Sequence, residues 1–419
     1  MKAKVIFIIL FFGCTFLPRV MAEEILSWED CILEAKKNNP DLISAQENIN
    51  QQKASKTITA SGLYPQISGN VGAATGKTAS KTSDNYSYGV SGTQLVFDAF
   101  KTANEINAAS ENIKAAQQNY RFASSGVRFN LRSAFIELLK AQELIRVAED
   151  IVKIRKENFE LITLRYYSGL EHRGALLTAE ANLAQATFEL SQAKRDIGLA
   201  QRQLTKEMGR RELKSIYVKG DFTVWDTAKE KPDLQALVQN NPSLLQLVAK
   251  KNAAAFSIKS AYANFAPQLS GNANTDKTSS HWPPQDDRWN LGLNLSMPIF
   301  EGGLRFAQVS EAKAVYNQAE ANERSTKDAV IVALEQAWVT LQDSVETVDV
   351  QYKSLVAAKE RAKIAEAQYS TGFITYDNWS IIEDNLVRAK TDYLNAEANA
   401  LLAEANWIQA KGETLEYAQ

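Results

Sequence analysis

Proline is missing from two long tracts of this chain: none occurs between Pro65 and Pro232, and none after Pro298. Proline removes a backbone donor and collides with the preceding helical turn, so its absence leaves both tracts free to run as uninterrupted helix. Residues that do chemistry are scarcer still. The only histidines are His172 and His281, in different kinds of segment, and the only cysteines are Cys14 and Cys31. No zinc site and no Ser/His/Asp arrangement can be assembled from them. Excess positive charge is also lacking, with 47 basic against 49 acidic side chains, which excludes a nucleic-acid footprint. The expectation is a protein that is not an enzyme, carries no cofactor and binds no nucleic acid.

The first 22 residues set the compartment. Basic Lys2 and Lys4 precede an apolar run from Val5 to Phe12, and Pro18-Arg19-Val20-Met21-Ala22 ends with small residues at the two positions signal peptidase reads. This is the pattern of a removed secretory signal, 1–22. Phe11-Phe12-Gly13 is a poor lipoprotein box, so Cys14 is read as part of the signal's apolar core. Cys31 is then the single thiol and cannot form an internal disulfide. It reads as a small buried residue beside Ile32 and Leu33.

What is present is dominated by the stretch from Leu304 to Gly412, whose one interior glycine is Gly372. In its descending arm Ile382, Leu386, Ala389, Tyr393, Ala396, Ala400, Ala403, Trp407 and Ala410 alternate steps of four and three, the 3.5-residue period of supercoiled helices. Two long helices folded back at one turn follow, about 304–370 and 376–411. At ~1.5 Å per residue the first would reach on the order of 100 Å. A seam of alanine lets backbones approach closely but buries little per helix, so the rods need several neighbours.

The same unit is written twice. Asn38-Asn39-Pro40 returns as Asn240-Asn241-Pro242, and Pro65-Gln66-Ile67-Ser68-Gly69-Asn70 returns as Pro267-Gln268-Leu269-Ser270-Gly271-Asn272. Further on, Val96-Phe97-Asp98 matches Ile299-Phe300-Glu301, Gly169 matches Gly372, and Gly209 matches Gly412. The duplication predicts a first repeat at 23–209, a linker at 210–230, a second repeat at 231–412 and a tail at 413–419. Each repeat reads as short helix, medium helix, strand, polar loop, strand and two long helices. In the first, strands lie at about 66–75 and 86–97 and long helices at about 101–167 and 173–208; in the second, strands lie at about 268–276 and 288–299.

The strands alternate. Trp289, Leu291, Leu293, Leu295, Met297 and Ile299 interleave with Asn290, Gly292, Asn294 and Ser296, while Tyr86, Tyr88 and Val90 interleave with Ser87, Gly89 and Ser91. One face is oily and the other wet. Tilted strands of about ten residues span a bilayer's apolar thickness. Tyr86, Tyr88, Trp289, Leu291, Leu293, Leu295 and Met297 are therefore read as lipid-facing. Four strands cannot close a barrel and open edges are not tolerated in lipid, so several chains must pool their strands. Two chains would give eight strands and a filled interior, three would give twelve and a usable hole. A periplasmic coiled-coil scaffold with a small sheet and no pore is the alternative. Gly72-Ala73-Ala74-Thr75-Gly76-Lys77-Thr78 falls one residue short of a phosphate-binding loop and lies between strands, so it carries no nucleotide.

The ordered duplication, the signal, the paired Asn-Asn-Pro and Pro-Gln-(Ile/Leu)-Ser-Gly-Asn segments and the glycine turns together resemble the TolC-type outer membrane factor family over residues 23–412. The resemblance implies a mixed α and β membrane protein. In it a homotrimer pools four strands per chain into a 12-stranded transmembrane β-barrel in the outer membrane and pairs long helices into a periplasmic α-helical barrel. It implies a passive conduit of a tripartite efflux or type I secretion system, with a periplasmic adaptor, an inner-membrane transporter and outer-membrane lipid as partners. It also places the turns at Gly169 and Gly372 at the periplasmic entrance, with Tyr369 and Gly372 matching the family's turn. Aligned without gaps, Asn378 and Ile381 stand where the best-known member has two constriction aspartates. Ile374 replaces a gate arginine, and Ala175 replaces an acid on the first hairpin. Asp377 is the nearest charge. Closure is therefore expected to rest on Phe373, Ile374, Tyr376 and Trp379 more than on ion pairs.

Overall fold

The computed structural model describes residues 24–79, 81–212, 214–223 and 232–417. The expected signal 1–22, with Cys14, lies outside the described residues, as do Val224 and Trp225 of the linker and the last two residues of the tail.

The first repeat runs β1 (Glu24–Leu26), α1 (Trp28–Asn38), α2 (Pro40–Ser61), β2 (Gln66–Thr78), β3 (Lys81–Phe97), α3 (Lys101–Tyr167) and α4 (Arg173–Glu207). After a linker strand β4 (Ile216–Val218), the second runs α5 (Leu234–Gln239), α6 (Pro242–Ala263), β5 (Gln268–Ser279), β6 (Asp286–Ser296), α7 (Leu304–Ser370) and α8 (Tyr376–Ala410). Both α3 and α7 have 67 residues, a length of roughly 100 Å. Each folds back on a 35-residue partner at a turn made by Gly169 or Gly372, both in the left-handed region that glycine enters without penalty.

Asparagine solves the problem of the shorter arms. The side chain of Asn39 accepts from the N–H groups of Asp41 and Leu42, capping α2, and its Nδ2 donates at 2.8 Å to the carbonyl of Glu207 at the end of α4. Asn241 repeats the arrangement, accepting from Ser243 and donating at 3.1 Å to the Ala410 carbonyl at the end of α8. One amide thus satisfies orphan donors of one helix and an orphan acceptor of another. The result is that α4 continues into α2, and α8 into α6, as composite rods about as long as α3 and α7. Proline at the first helical position suits both starts because no N–H is needed there.

The core sits at mid-rod. Leu131, Leu138, Leu204, Met208, Cys31 and Ile216 form one buried cluster, into which Leu415 of the tail and Val218 of the linker also pack. The tail therefore docks on the rods with its turn at Leu415–Tyr417. In the second repeat Leu334, Leu341 and Trp338 surround Trp407, the two indoles edge to face at 5.3 Å. The three-residue strands β1 and β4 pair in parallel beside the first cluster, and Arg210 ties β1 to α1 by donating to both Glu24 and Glu34.

The four long strands form one antiparallel sheet in the order β2-β3-β5-β6. The first hairpin is longer than the sequence suggested. Its strands continue to Thr78 and begin again at Lys81, so the expected polar loop between 75 and 86 is ladder. Thr75 bonds Asp84 across it at 2.8 Å. Polar residues can pair outside lipid as well as inside it, and alternation of oily residues marks only the part that faces lipid. The run Gly72–Thr78 is accordingly strand throughout. In the second hairpin β5 also extends, to Ser279, whereas β6 ends at Ser296 instead of 299. Pro298 cannot donate to the ladder, which leaves Met297 beyond the strand that was expected to hold it.

Candidate functional site

The residues singled out in the sequence gather in two places: the oily face of the sheet and the far tips of the two long hairpins. Register brings the oily residues together. Ile67, Gly92, Ala273 and Leu291 form one cross-sheet row, Gly69, Val90, Thr275 and Trp289 the next, and Val71, Tyr88, Lys277 and Asp287 a third. Leu291, Leu293 and Leu295 stand exposed on this face, Trp289 is 80% exposed, and Met297 is exposed just past the strand end. From Leu295 to Trp289 the band measures roughly 20 Å. Above it Lys277 and Asp287 pair at 3.2 Å, marking where the face turns polar. Tyr86 and Tyr88 lie at that level. Trp282, from the loop after β5, folds back onto both with ring centroids 6.3 Å apart, a partner that sequence reading missed. The opposite face carries Ser68, Asn70, Ser91, Asn274, Asn290 and Arg288 in matching rows.

At the tips the four long helices converge on a buried cluster of Ile162, Ala175, Ala179, Ala365, Tyr369, Tyr376 and Trp379. Thr375 caps α8, and His172 caps α4 by accepting from the Ala175 N–H. Tyr369 and Trp379, each 2% exposed, stack with centroids 4.6 Å apart and planes 14° from parallel. The Arg165 guanidinium lies 4.7 Å from the Tyr369 ring. Ile374 is half-buried against the cluster, whereas Phe373 is 84% exposed. Gly169, Gly372, Asp377 and Asn378 are exposed at the turns.

Polar contacts join the two hairpins. The Tyr369 hydroxyl donates at 2.6 Å to the carboxylate of Glu171 in the first hairpin's turn. Burial, and then the Glu171 carboxylate, push that hydroxyl far above the usual tyrosine range, so it remains a donor at any ordinary pH. Further along, Arg155 of α3 reaches Asp384 of α8 at 2.5 Å, and Asp150 of α3 holds Lys390 of α8 at 3.1 Å. These contacts tie the first hairpin to the second. Ala175 is buried in the cluster, and Glu171, four residues earlier, supplies the acid. Sequence reading also missed a stripe of five residues at seven-residue spacing on α8 beside its apolar seam: Tyr376, Glu383, Lys390, Glu397 and Glu404. A count of titratable residues by heptad would have found it.

Comparison with known proteins places this architecture. The sequence model of the family described as Outer membrane efflux protein matches residues 31–210 and 234–413, one stretch per repeat. Outer membrane efflux protein BepC of Brucella suis is 23% identical over 395 residues, covering 92% of this chain and 82% of BepC. Outer membrane protein TolC of Vibrio cholerae is 22% identical, covering 86% of each chain. Among solved structures, the CmeC outer membrane channel of Campylobacter jejuni superposes with a TM-score of 0.82 at 19% identity, over 93% of this chain and 87% of that one. The outer membrane protein VceC of Vibrio cholerae gives 0.80 at 18% identity, over 92% and 96%.

Proposed function

The chain belongs to the outer membrane efflux protein family, and from that premise we propose that it forms, as a homotrimer, the outer-membrane channel of a tripartite export system. The observation that carries this reading is the pair of open sheet edges. β2 and β6 each have one neighbour, and an unpaired strand edge in hydrocarbon is prohibitive. With four antiparallel strands per chain, β6 of one copy meets β2 of the next in the correct alternation. Three copies then close twelve strands around a polar interior, with the band from Leu295 to Trp289 against lipid and Tyr86, Tyr88 and Trp282 at its rim. The rods continue the tube into the periplasm, where a periplasmic adaptor and an inner-membrane transporter deliver cargo. Passage is passive and requires no covalent step.

The tips are the gate. Phe373 and Ile374 close the entrance by apolar contact around the threefold axis, and the buried Tyr369–Trp379 stack with the Tyr369–Glu171 bond holds the second hairpin against the first. A hydrogen bond to a charged partner contributes about 1.5–3 kcal/mol, enough to bias two arrangements of the hairpin. Adaptor binding favours the open one.

The full-length protein, extracted in detergent and reconstituted in planar bilayers, tests both levels. A trimer that migrates differently before and after heating and that conducts ions is expected. A water-soluble monomer in the periplasmic fraction would mean the poreless scaffold instead. Within the channel, Phe373→Ala should raise conductance several-fold and Asp377→Ala should leave it unchanged. The reverse order would sink the apolar gate.

A further inference from the structure

Beside the tip cluster lies a small cavity, bounded by Arg155 and Asn158 of α3, Asn182 of α4, and Trp379, Ser380 and Glu383 of α8. Its volume of about 10 Å³ is close to the least that holds one water molecule. Two of its lining residues, 2% and 6% exposed, each hold a buried polar atom with no partner among the described residues: the indole Nε1 of Trp379 and Oε2 of Glu383. Buried donors and acceptors left unpaired are costly. Here they occur together, one a donor and the other an acceptor, against one cavity of the right size.

We propose that this cavity binds a single water bridging the Trp379 indole N–H and the Glu383 carboxyl, and that this hydrated carboxyl is a proton-binding site favouring the packed arrangement of the two hairpins. The proposal deepens the gate described above and rests on that reading for its effect on conduction. The groups around Glu383 come from three helices. Arg155 and Asn158 face it from α3, Glu366 from α7, and Lys390 lies one heptad along α8. Arg155 is engaged through one nitrogen by Asp384, the Asn182 amide bonds Ser380 at 3.3 Å, and Asn158 bonds the Glu383 carboxyl, yet Oε2 itself is left without a partner among the described residues. Burial raises the carboxyl's proton affinity, opposed chiefly by Arg155.

The sign follows. A carboxyl that holds its proton more tightly when packed than when solvated stabilises the packed form fully at pH below the ordinary glutamate value of 4.5. That contribution is lost as pH rises through the raised value. Acid thus fastens the hairpins and neutral pH releases them.

Amide hydrogen exchange on the full-length trimer, followed over residues 376–384 between about pH 4.5 and 8 after correction for intrinsic rates, reads this directly. Protection should fall several-fold with rising pH in the wild type and be flat in Glu383→Gln. Trp379→Phe keeps an aromatic ring and deletes the N–H that anchors the water hydrating the carboxylate, so its midpoint should move to higher pH. Glu397 is also raised by burial but lies 14 residues up the helix, about 21 Å away, and reports in a different peptide. Unchanged pH dependence in Glu383→Gln, or no shift in Trp379→Phe, overturns the proposal. A trimer that shows the expected exchange but never conducts would overturn the channel reading and leave this site standing.

Discussion

The two repeats fold to one plan but turn its corner from strand to long helix with different residues. The second repeat uses Gly302 and Gly303, with φ of 60° and 89°, while the first places Ala99 and Phe100 at 54° and 64°. Left-handed backbone is open to glycine and costs other residues roughly 1–2 kcal/mol each. The corner is therefore imposed by the architecture, which must swing the chain from a tilted strand into a rod, and not by local preference. The first repeat offsets its strain with Asp98, whose carboxylate accepts from the Thr102 N–H at 2.8 Å and from its hydroxyl, fixing the start of α3. The second has no such cap on α7. There Glu301 instead pairs with Arg305, whose guanidinium reaches the Asn264 carbonyl.

The comparison is broken most severely at the helix splices. A Cβ on Gly209 would lie 2.3 Å from the Asn38 carbonyl oxygen, and one on Gly412 would lie 2.4 Å from Cδ of Pro242. Both glycines also have positive φ. Gly209→Ala should cost about 3 kcal/mol and Gly412→Ala somewhat less, because a proline ring can shift where a backbone carbonyl cannot. Thermal unfolding of the trimer measures both, and equal, negligible losses would deny that the splices are tightly packed.

Next come the amides. Asn39→Ala removes a 2.8 Å donor contact and two accepted bonds, against a 3.1 Å contact and one accepted bond for Asn241→Ala. Losses of about 2 and about 1 kcal/mol are expected, and a reversed order in denaturant titration would show that the splices are not equivalent devices. Smallest is the corner itself. Ala99→Gly should stabilise by about 1 kcal/mol and Gly302→Ala destabilise by a similar amount. If both destabilise, the strain assigned to the first repeat is absent.

How far these features could be read in advance depends on their range along the chain. The long helices announced themselves because nothing in 304–370 interrupts their period, and the glycine turns because only glycine punctuates it. The oily parts of the strands were equally visible. Their polar extensions were not, since Lys77 and Thr82 pair in the ladder without any alternation to betray it. β1 and β4, three residues each, are too short to have a pattern and are held by the mid-rod core, into which Leu26, Ile216 and Val218 pack. The Asn-Pro repeats stood out as text, but their second role, donating to a carbonyl 168 or 169 residues away, is purely tertiary. The same holds for Tyr369 and Glu171, separated by 198 positions. A contact that joins distant segments leaves no local periodicity, and only the heptad stripe through Glu383 was there to be counted.

The spliced rods have one further consequence. At the level of Asn39 and Asn241, α4 meets α2 and α8 meets α6 with no peptide bond across the junction. Tension applied along the tube is borne there by side-chain amides and by the flanking continuous helices alone. Pulled from its two ends, each subunit should part first at this waist, long before its coiled tips or its strands give way.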